Sequence, residues 1–504
     1  MSNNKRVLAN TIFLATRVII TILISFYTTR IILSELSAQA YGLFSVIFSI
    51  VTFFTFLTGS FSEAIQRFFS VAIGEKADNT LKNTFTNAVI ICSILAFIIA
   101  IILYSIREYV TQYVLNIPTS SLEQANKLFS IALASVFIST LQAPLSALVL
   151  ANEKMSFYAY LTVFESVAKL SLSLVLTLIS SEKLLVYSAL LLMSSLIIFT
   201  IYAGYCFKMF NTTMTGGKPS WKIVSELSAF SLWNTFGNFA YACRSQGIII
   251  CINLFFAVTV NAAYALANII SQAINSLAQS ITTAIKPQIV KAYAEENTQR
   301  YNAMIYFGSK YAFMFLFTLC SPVLFKTYDI LSLWLTDVPA YTVWFVRLLI
   351  IVTLIDSFSS SLIAGMQATG HIRVYQFVVG TLICLNLPVI YHLFKAGLSV
   401  YFLFLPLISI SILNFFLRVY FLSKSSNFDA ILYLKTVIAK CLLPAFLSVI
   451  AGLFIGNGFT GASTLFVFLS AAMHSLLTFL IFAILAITKE EKKWVLTHFF
   501  QRTL

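Results

Sequence analysis

Stretches of about twenty apolar residues recur from one end of this 504-residue chain to the other, separated by short polar connections. No motif constrains the fold as strongly. In a hydrocarbon layer every backbone N–H and C=O must be satisfied inside its own segment, and for separate segments of this length only the α-helix does that. Charged residues make up 10% of the chain, against about 25% in ordinary soluble domains, and mean hydropathy is +0.91, so no soluble domain is expected beside the helices.

The pattern predicts an all-α polytopic membrane protein with about fourteen transmembrane helices. Residues 1–210 read as an N-terminal six-helix lobe, 211–222 as a cytoplasmic linker, 223–425 as a C-terminal six-helix lobe, and 426–504 as two additional helices and a cytoplasmic tail. With the N-terminus in the cytoplasm, twenty of the 32 lysines and arginines fall on that side and five on the other. The positive-inside rule then places both termini of this multi-pass protein in the cytoplasm. The net charge of +14 is read as topology and contact with anionic membrane lipid, not as a nucleic-acid footprint. The seven cysteines include no CxxC pair and the four histidines show no ligand spacing, so no metal site or cofactor is expected. The first hydrophobic segment is followed by no A-x-A cleavage site and reads as a retained helix.

An internal repeat of about 220 residues runs through the chain. Ala40 and Tyr41 match Ala263 and Tyr264, Ala64 and Ile65 match Ala284 and Ile285, and the connection at 151–155 followed by Tyr158 matches 368–372 followed by Tyr375. An even number of spans separates the copies, so they run in parallel, and paired halves of this kind enclose a substrate path whose access alternates.

Five cations, Arg17, Arg67, Lys169, Arg244 and Lys310, lie within the apolar spans, with three acids, Glu63, Glu165 and Asp356. A charge at mid-membrane costs roughly 2.5 kcal/mol or more, so the excess of cations implies a water-filled interior that receives something anionic. Glu63 with Arg67 and Glu165 with Lys169 are one helical turn apart and read as ion pairs. Arg17, placed near the midplane of the first span, and Arg244 in the seventh lack a local carboxylate. Their guanidinium forks suit phosphate oxygens, the alternative being an interhelical bridge to Asp356 or Glu63. Lys310 and Arg67 are supporting cations, and Asp356 is the candidate for ion coupling.

Polar side chains also form stripes at helical spacing: Asn261, Asn268, Gln272, Asn275, Gln279 and Thr282 in the eighth span, Ser45, Ser49, Thr52, Gly59 and Glu63 in the second, and Asn234, Asn238, Tyr241 and Ser245 beside Arg244. Such faces meet water, substrate or other helices, because lipid leaves them unsatisfied. Both the lining of a path and polar glue between helices fit them. The chain has no nucleophile motif, phosphate-binding glycine loop or metal cluster, so an enzyme is not expected.

Several segments resemble the polysaccharide-exporter and O-antigen flippase (Wzx-like) branch of the multidrug/oligosaccharidyl-lipid/polysaccharide superfamily. They include TyrGlyLeuPheSer at 41–45, SerGluAlaIleGlnArgPhePhe at 62–69, AlaAsnGluLysMet at 151–155, ArgSerGlnGly at 244–247, AsnAlaAlaTyrAlaLeuAlaAsn at 261–268 and LysProGlnIleValLys at 286–291. The resemblance implies two six-helix lobes in a V plus two further helices. It also implies movement of an undecaprenyl-diphosphate-linked glycan across the inner membrane, beside a polysaccharide polymerase and glycosyltransferases. A cation-coupled exporter of small amphiphiles or drugs and a membrane enzyme of glycan assembly are the alternatives.

Overall fold

The computed structural model describes residues 3–180, 182–370, 373–458 and 464–487, and every regular element among them is a helix. Packing divides the chain into two units. The first takes in residues 1–266, 335–341 and 376–406. Its helices are α1 (Asn3–Glu35), α2 (Ala38–Phe53), α3 (Thr55–Gly74), α4 (Asp78–Tyr109), α5 (Leu122–Ala151), α6 (Met155–Val175), α7 (Lys183–Met214), α8 (Trp221–Ala242) and α9 (Ile248–Phe255). Helix α10 (Val258–Ala294) starts in this unit and continues without a break into the second. The second unit goes on with α11 (Thr298–Phe325), α12 (Thr327–Trp334), α13 (Thr342–Ser357) and α14 (Ser359–Thr369). Most of α15 (Arg373–Cys384) and all of α16 (Asn386–Lys395) belong to the first unit, whereas α17 (Phe404–Ser425) from Leu407 onward, α18 (Ala430–Tyr433), α19 (Ala439–Gly458) and α20 (Thr464–Leu485) belong to the second.

Among the described residues, eleven helical segments are long and apolar enough to cross a membrane, and α2 with α3, bent by 46°, makes a twelfth. The other two expected spans fall on α8–α9 and α10, which are helical but, with their amide stripes, are not among the segments apolar enough to cross a membrane, so twelve spans stand against the fourteen expected. The chain is an all-α polytopic membrane protein. Neither proline nor glycine sits at the bend between α2 and α3. There the Thr52 hydroxyl donates to the Phe48 carbonyl at 2.6 Å and Thr55 donates to Thr52 at 2.6 Å, and such back-bonding loosens the helical ladder.

The first unit has two distinguishable ends. At one, the connection between α7 and α8 lies along α4: Asn83 accepts the Lys218 N–H at 2.8 Å, and Asn87 accepts from Ser220 at 2.9 Å while donating to the Lys218 carbonyl at 3.2 Å. A Cβ on Gly217 would run into the Lys82 carbonyl and the Thr86 hydroxyl, so only glycine lets the strand of chain lie this close. Beside this linker end the core holds Ile65, Phe69, Phe85 and Leu148, all nearly or wholly buried. At the opposite end the Asn116 N–H donates to the Asn253 side-chain Oδ1 at 3.1 Å, fastening the turn after α4 to the last turns of α9.

Two buried hydroxyl pairs join corresponding spans in the two units. In the first unit Thr58 of α3 and Thr140 of α5 share a buried hydroxyl–hydroxyl bond of 3.1 Å. In the second, Ser271 of α10 and Thr353 of α13 share one of 2.9 Å. Each pair joins the second and fourth spans of its half.

Candidate functional site

Arg17 projects from α1 toward α6, where its guanidinium carbon lies 5.3 Å from the centre of the Tyr158 ring. Tyr158 is the fourth residue of α6 and so close to the linker end of the unit. Along its own helix Arg17 stands about 27 Å from Glu35 at 1.5 Å per residue, nearly a full hydrocarbon thickness from the far end. Within the packed unit Arg17 therefore lies toward the linker end, beside the first turn of α6. It is half-buried, and no carboxylate lies within ion-pairing distance of it among the described residues. Beside this cluster, the Lys169 ammonium donates to Glu165 at 2.7 Å, the pair expected from their spacing.

Arg67 does not form the analogous pair. Its guanidinium lies over the Phe230 ring of α8 at 4.4 Å, and Glu63 one turn earlier is exposed and makes no ion pair with it. A guanidinium is weakly hydrated and flat, so an aromatic face from a neighbouring helix competes well with a carboxylate on its own helix. Arg67 lies about 10 Å along α3 from Gly74, which puts it on the Arg17 side of the unit.

Arg244 is elsewhere. It occupies a π-turn at Cys243–Gly247 between α8 and α9, about 34 Å from Trp221 at the linker end. Its charge acts on Tyr264, which lies near the opposite end at the start of α10, and it has a partner within the fold. The unit therefore does not bring Arg17 and Arg244 together. Lys310, near the middle of α11 in the second unit, is 3% exposed, and both it and Asp356 of α13 have partners, so Asp356 is not the lone acid that its sequence neighbourhood implies.

The polar stripes separate into packed and open parts. Asn261 is fully buried, donating to the Ile249 carbonyl at 2.6 Å, and Thr282 is buried as well, so the two ends of the α10 stripe are packing groups. Between them Asn268 is half-buried and Gln272, Asn275 and Gln279 are exposed along one face. On α2, Ser49 is 4% exposed with its hydroxyl on the Ser45 carbonyl at 2.6 Å, and Thr52 is half-buried and bonded within its helix; Ser49 is a packing hydroxyl and not a lining one. Asn238 donates to the Ser60 hydroxyl at 3.0 Å, using its amide to join α8 to α3. The Asn234 side chain lies outside the described residues.

One polar group escapes the sequence reading. Ser411, Asn414 and Arg418 of α17 are 2%, 2% and 9% exposed, and each has a buried polar atom with no partner in the protein. Arg418 counts in the sequence as a charge of the cytoplasmic rim. The spacing of three and four residues inside an apolar span is the signal that points to a shared buried face.

Residues 7–293 match the family described as polysaccharide biosynthesis protein. No curated protein matches the sequence. Among solved structures, the lipid II flippase MurJ in an inward closed conformation resembles this chain with a TM-score of 0.71 at 14% identity, over 94% of this chain and 98% of that one. An inward-facing multidrug resistance MATE family transporter of the MOP superfamily gives 0.68 at 14% identity, over 82% and 98%. A MOP superfamily transporter from Pyrococcus furiosus gives 0.59 at 14% identity, over 82% and 95%. Identity this low speaks for the fold alone, but the family match covers more than half of the chain. With a helical architecture shared with flippases and transporters, this chain belongs to the polysaccharide biosynthesis protein family.

Proposed function

We propose that the protein is a flippase that carries an undecaprenyl-diphosphate-linked oligosaccharide from the cytoplasmic to the periplasmic leaflet of the bacterial inner membrane by alternating access. The observation that carries this reading is Arg17. It is a cation without a carboxylate partner among the described residues, held by Tyr158 at headgroup level on the linker side, which the charge distribution assigns to the cytoplasm. A diphosphate in that leaflet presents its oxygens at this depth. Arg67 supports the same level, and Arg244, about 34 Å along from the linker end, provides a second cation nearer the far leaflet. The arginines thus act in succession and not as one clamp. Gln272, Asn275 and Gln279 on the open face of α10 offer donors and acceptors to sugar hydroxyls. Family membership and the likeness to MurJ support the choice of a lipid-linked glycan as cargo.

The test is transport in proteoliposomes loaded with a labelled undecaprenyl-diphosphate oligosaccharide. Arg17→Glu and Arg244→Glu each lower the flipping rate by about tenfold or more, the loss of one charge-assisted interaction of about 1.5–3 kcal/mol. Wild-type rates in both variants would overturn the assignment. If the wild type instead confers drug resistance that Asp356→Asn removes while glycan export continues, the protein is a cation-coupled drug exporter.

A further inference from the structure

The face of α17 that turns into the second unit carries Ser411, Asn414 and Arg418 at intervals of three and four residues, among apolar neighbours such as Leu407 and Leu422. The Ser411 hydroxyl, the Asn414 carbonyl oxygen and the Arg418 Nε are each shut off from solvent and unbonded within the protein. No carboxylate lies within ion-pairing distance of Arg418 among the described residues. A buried guanidinium with no counter-charge is among the costliest arrangements in a membrane segment, and native folds supply a partner for groups of this kind. The surroundings on this side are aromatic: Phe415 packs against Phe358 at 6.2 Å and Tyr433 at 6.2 Å, and neither ring supplies a counter-charge.

We propose that Ser411, Asn414 and Arg418 form a binding site for the phosphate group of a lipid. Arg418 stands about 10 Å along α17 from Ser425, within reach of headgroups at the end of the helix where α17 leaves the membrane. Its planar fork offers two parallel N–H donors to a phosphate, the geometry that an ammonium lacks. Asn414, one turn deeper on the same face, adds an amide donor to the same group and accepts from a phosphate hydroxyl or a bridging water, and Ser411 closes the set through water. A positive charge that is harmful when empty becomes favourable when the phosphate enters, so the site is built for occupancy. Two sources share this chemistry, an ordinary phospholipid and a polyprenyl diphosphate. The site does not depend on the export reading, since a structural phospholipid fills it as well as a cargo.

The experiment uses the full-length protein in detergent, with native mass spectrometry to detect retained phosphatidylglycerol and thermal unfolding to detect added inorganic pyrophosphate. The wild type is expected to retain one phosphatidylglycerol through delipidation, or to gain several degrees of stability from millimolar pyrophosphate. Retention that pyrophosphate does not displace assigns the site to a phospholipid; displacement assigns it to a diphosphate. Arg418→Gln and Asn414→Leu are both expected to weaken the retained species by about tenfold or more, and Arg418→Lys to restore it only in part. Asn414→Leu keeps the test decisive if Arg418→Gln fails to fold. Equal retention and equal stabilisation in the wild type and the variants, or neither in the wild type, would overturn the proposal.

Discussion

Two pairs of residues with the same spacing behave differently, and the difference shows what decides the fate of a charge inside this protein. Glu165 and Lys169 close an ion pair at 2.7 Å, whereas Arg67, four residues after Glu63, turns to the Phe230 ring instead. Spacing fixes only what is within reach. The winner is set by what a neighbouring helix presents, and Phe230 lies more than 160 residues away in the sequence, so no local reading of 62–69 reveals it. Arg17 follows the same rule with Tyr158. Replacing Tyr158 by Leu should therefore slow flipping about two- to fivefold, the worth of a cation–π contact of about 0.5–1 kcal/mol, while Tyr158→Phe retains nearly the wild-type rate. Initial rates in proteoliposomes separate the two variants. A loss with Phe equal to the loss with Leu would assign the effect to the hydroxyl and not to the ring.

At the scale of the element, hydropathy makes the helices legible and leaves their interruptions hidden. The apolar period locates each span because burial and lipid contact act along its full length. The bend at Phe54, the π-turn at Arg244 and the break between α13 and α14 at Phe358 occur without proline; Thr52 and Thr55 back-bond at the first, and at the third the Phe358 carbonyl accepts from Ser309 and Tyr433 of other helical segments. For the same reason the candidate site is legible in its residue types but not in its depths: Arg17 and Arg244 stand out as cations, yet only the packing shows that they occupy opposite ends of one unit. The glycine of the TyrGlyLeuPheSer segment has an equally tertiary cause. A Cβ on Gly42 would collide with the Val258 carbonyl where α2 meets the start of α10. Gly42→Val is expected to destabilise the protein by about 1–3 kcal/mol, read as a lower midpoint in thermal unfolding followed by size-exclusion chromatography. Gly74→Ala, which meets nothing within 4 Å, serves as the neutral comparison.

For the whole molecule, the repeat that the sequence shows as scattered matches has an energetic counterpart in the two hydroxyl pairs, Thr58 with Thr140 and Ser271 with Thr353. Both partners are displaced by 213 residues, compared with about 220 in the sequence matches, so the bond lies roughly two turns from strict register while joining equivalent helices. Thr58→Val and Ser271→Ala are each expected to cost about 0.6 kcal/mol, the ordinary value of such a bond between membrane helices. The sites lie in different units, so the double variant should show the sum to within about 0.5 kcal/mol in the same unfolding measurement. A marked excess would reveal that the two halves unfold as one.

The connection between α7 and α8 also has a meaning in time. Its partners on α4, Asn83 and Asn87, leave the ribosome 131 to 135 residues before Lys218 and Ser220 do, an interval on the order of ten seconds at ordinary elongation rates. The loop that introduces the second half of the chain thus has partners that are synthesised well before it. Asn83→Ala with Asn87→Ala should accordingly be felt during biogenesis, as slowed acquisition of protease resistance in a pulse-chase experiment, before any effect on transport. In the order of synthesis, the helix that receives this loop is complete before the loop itself is made.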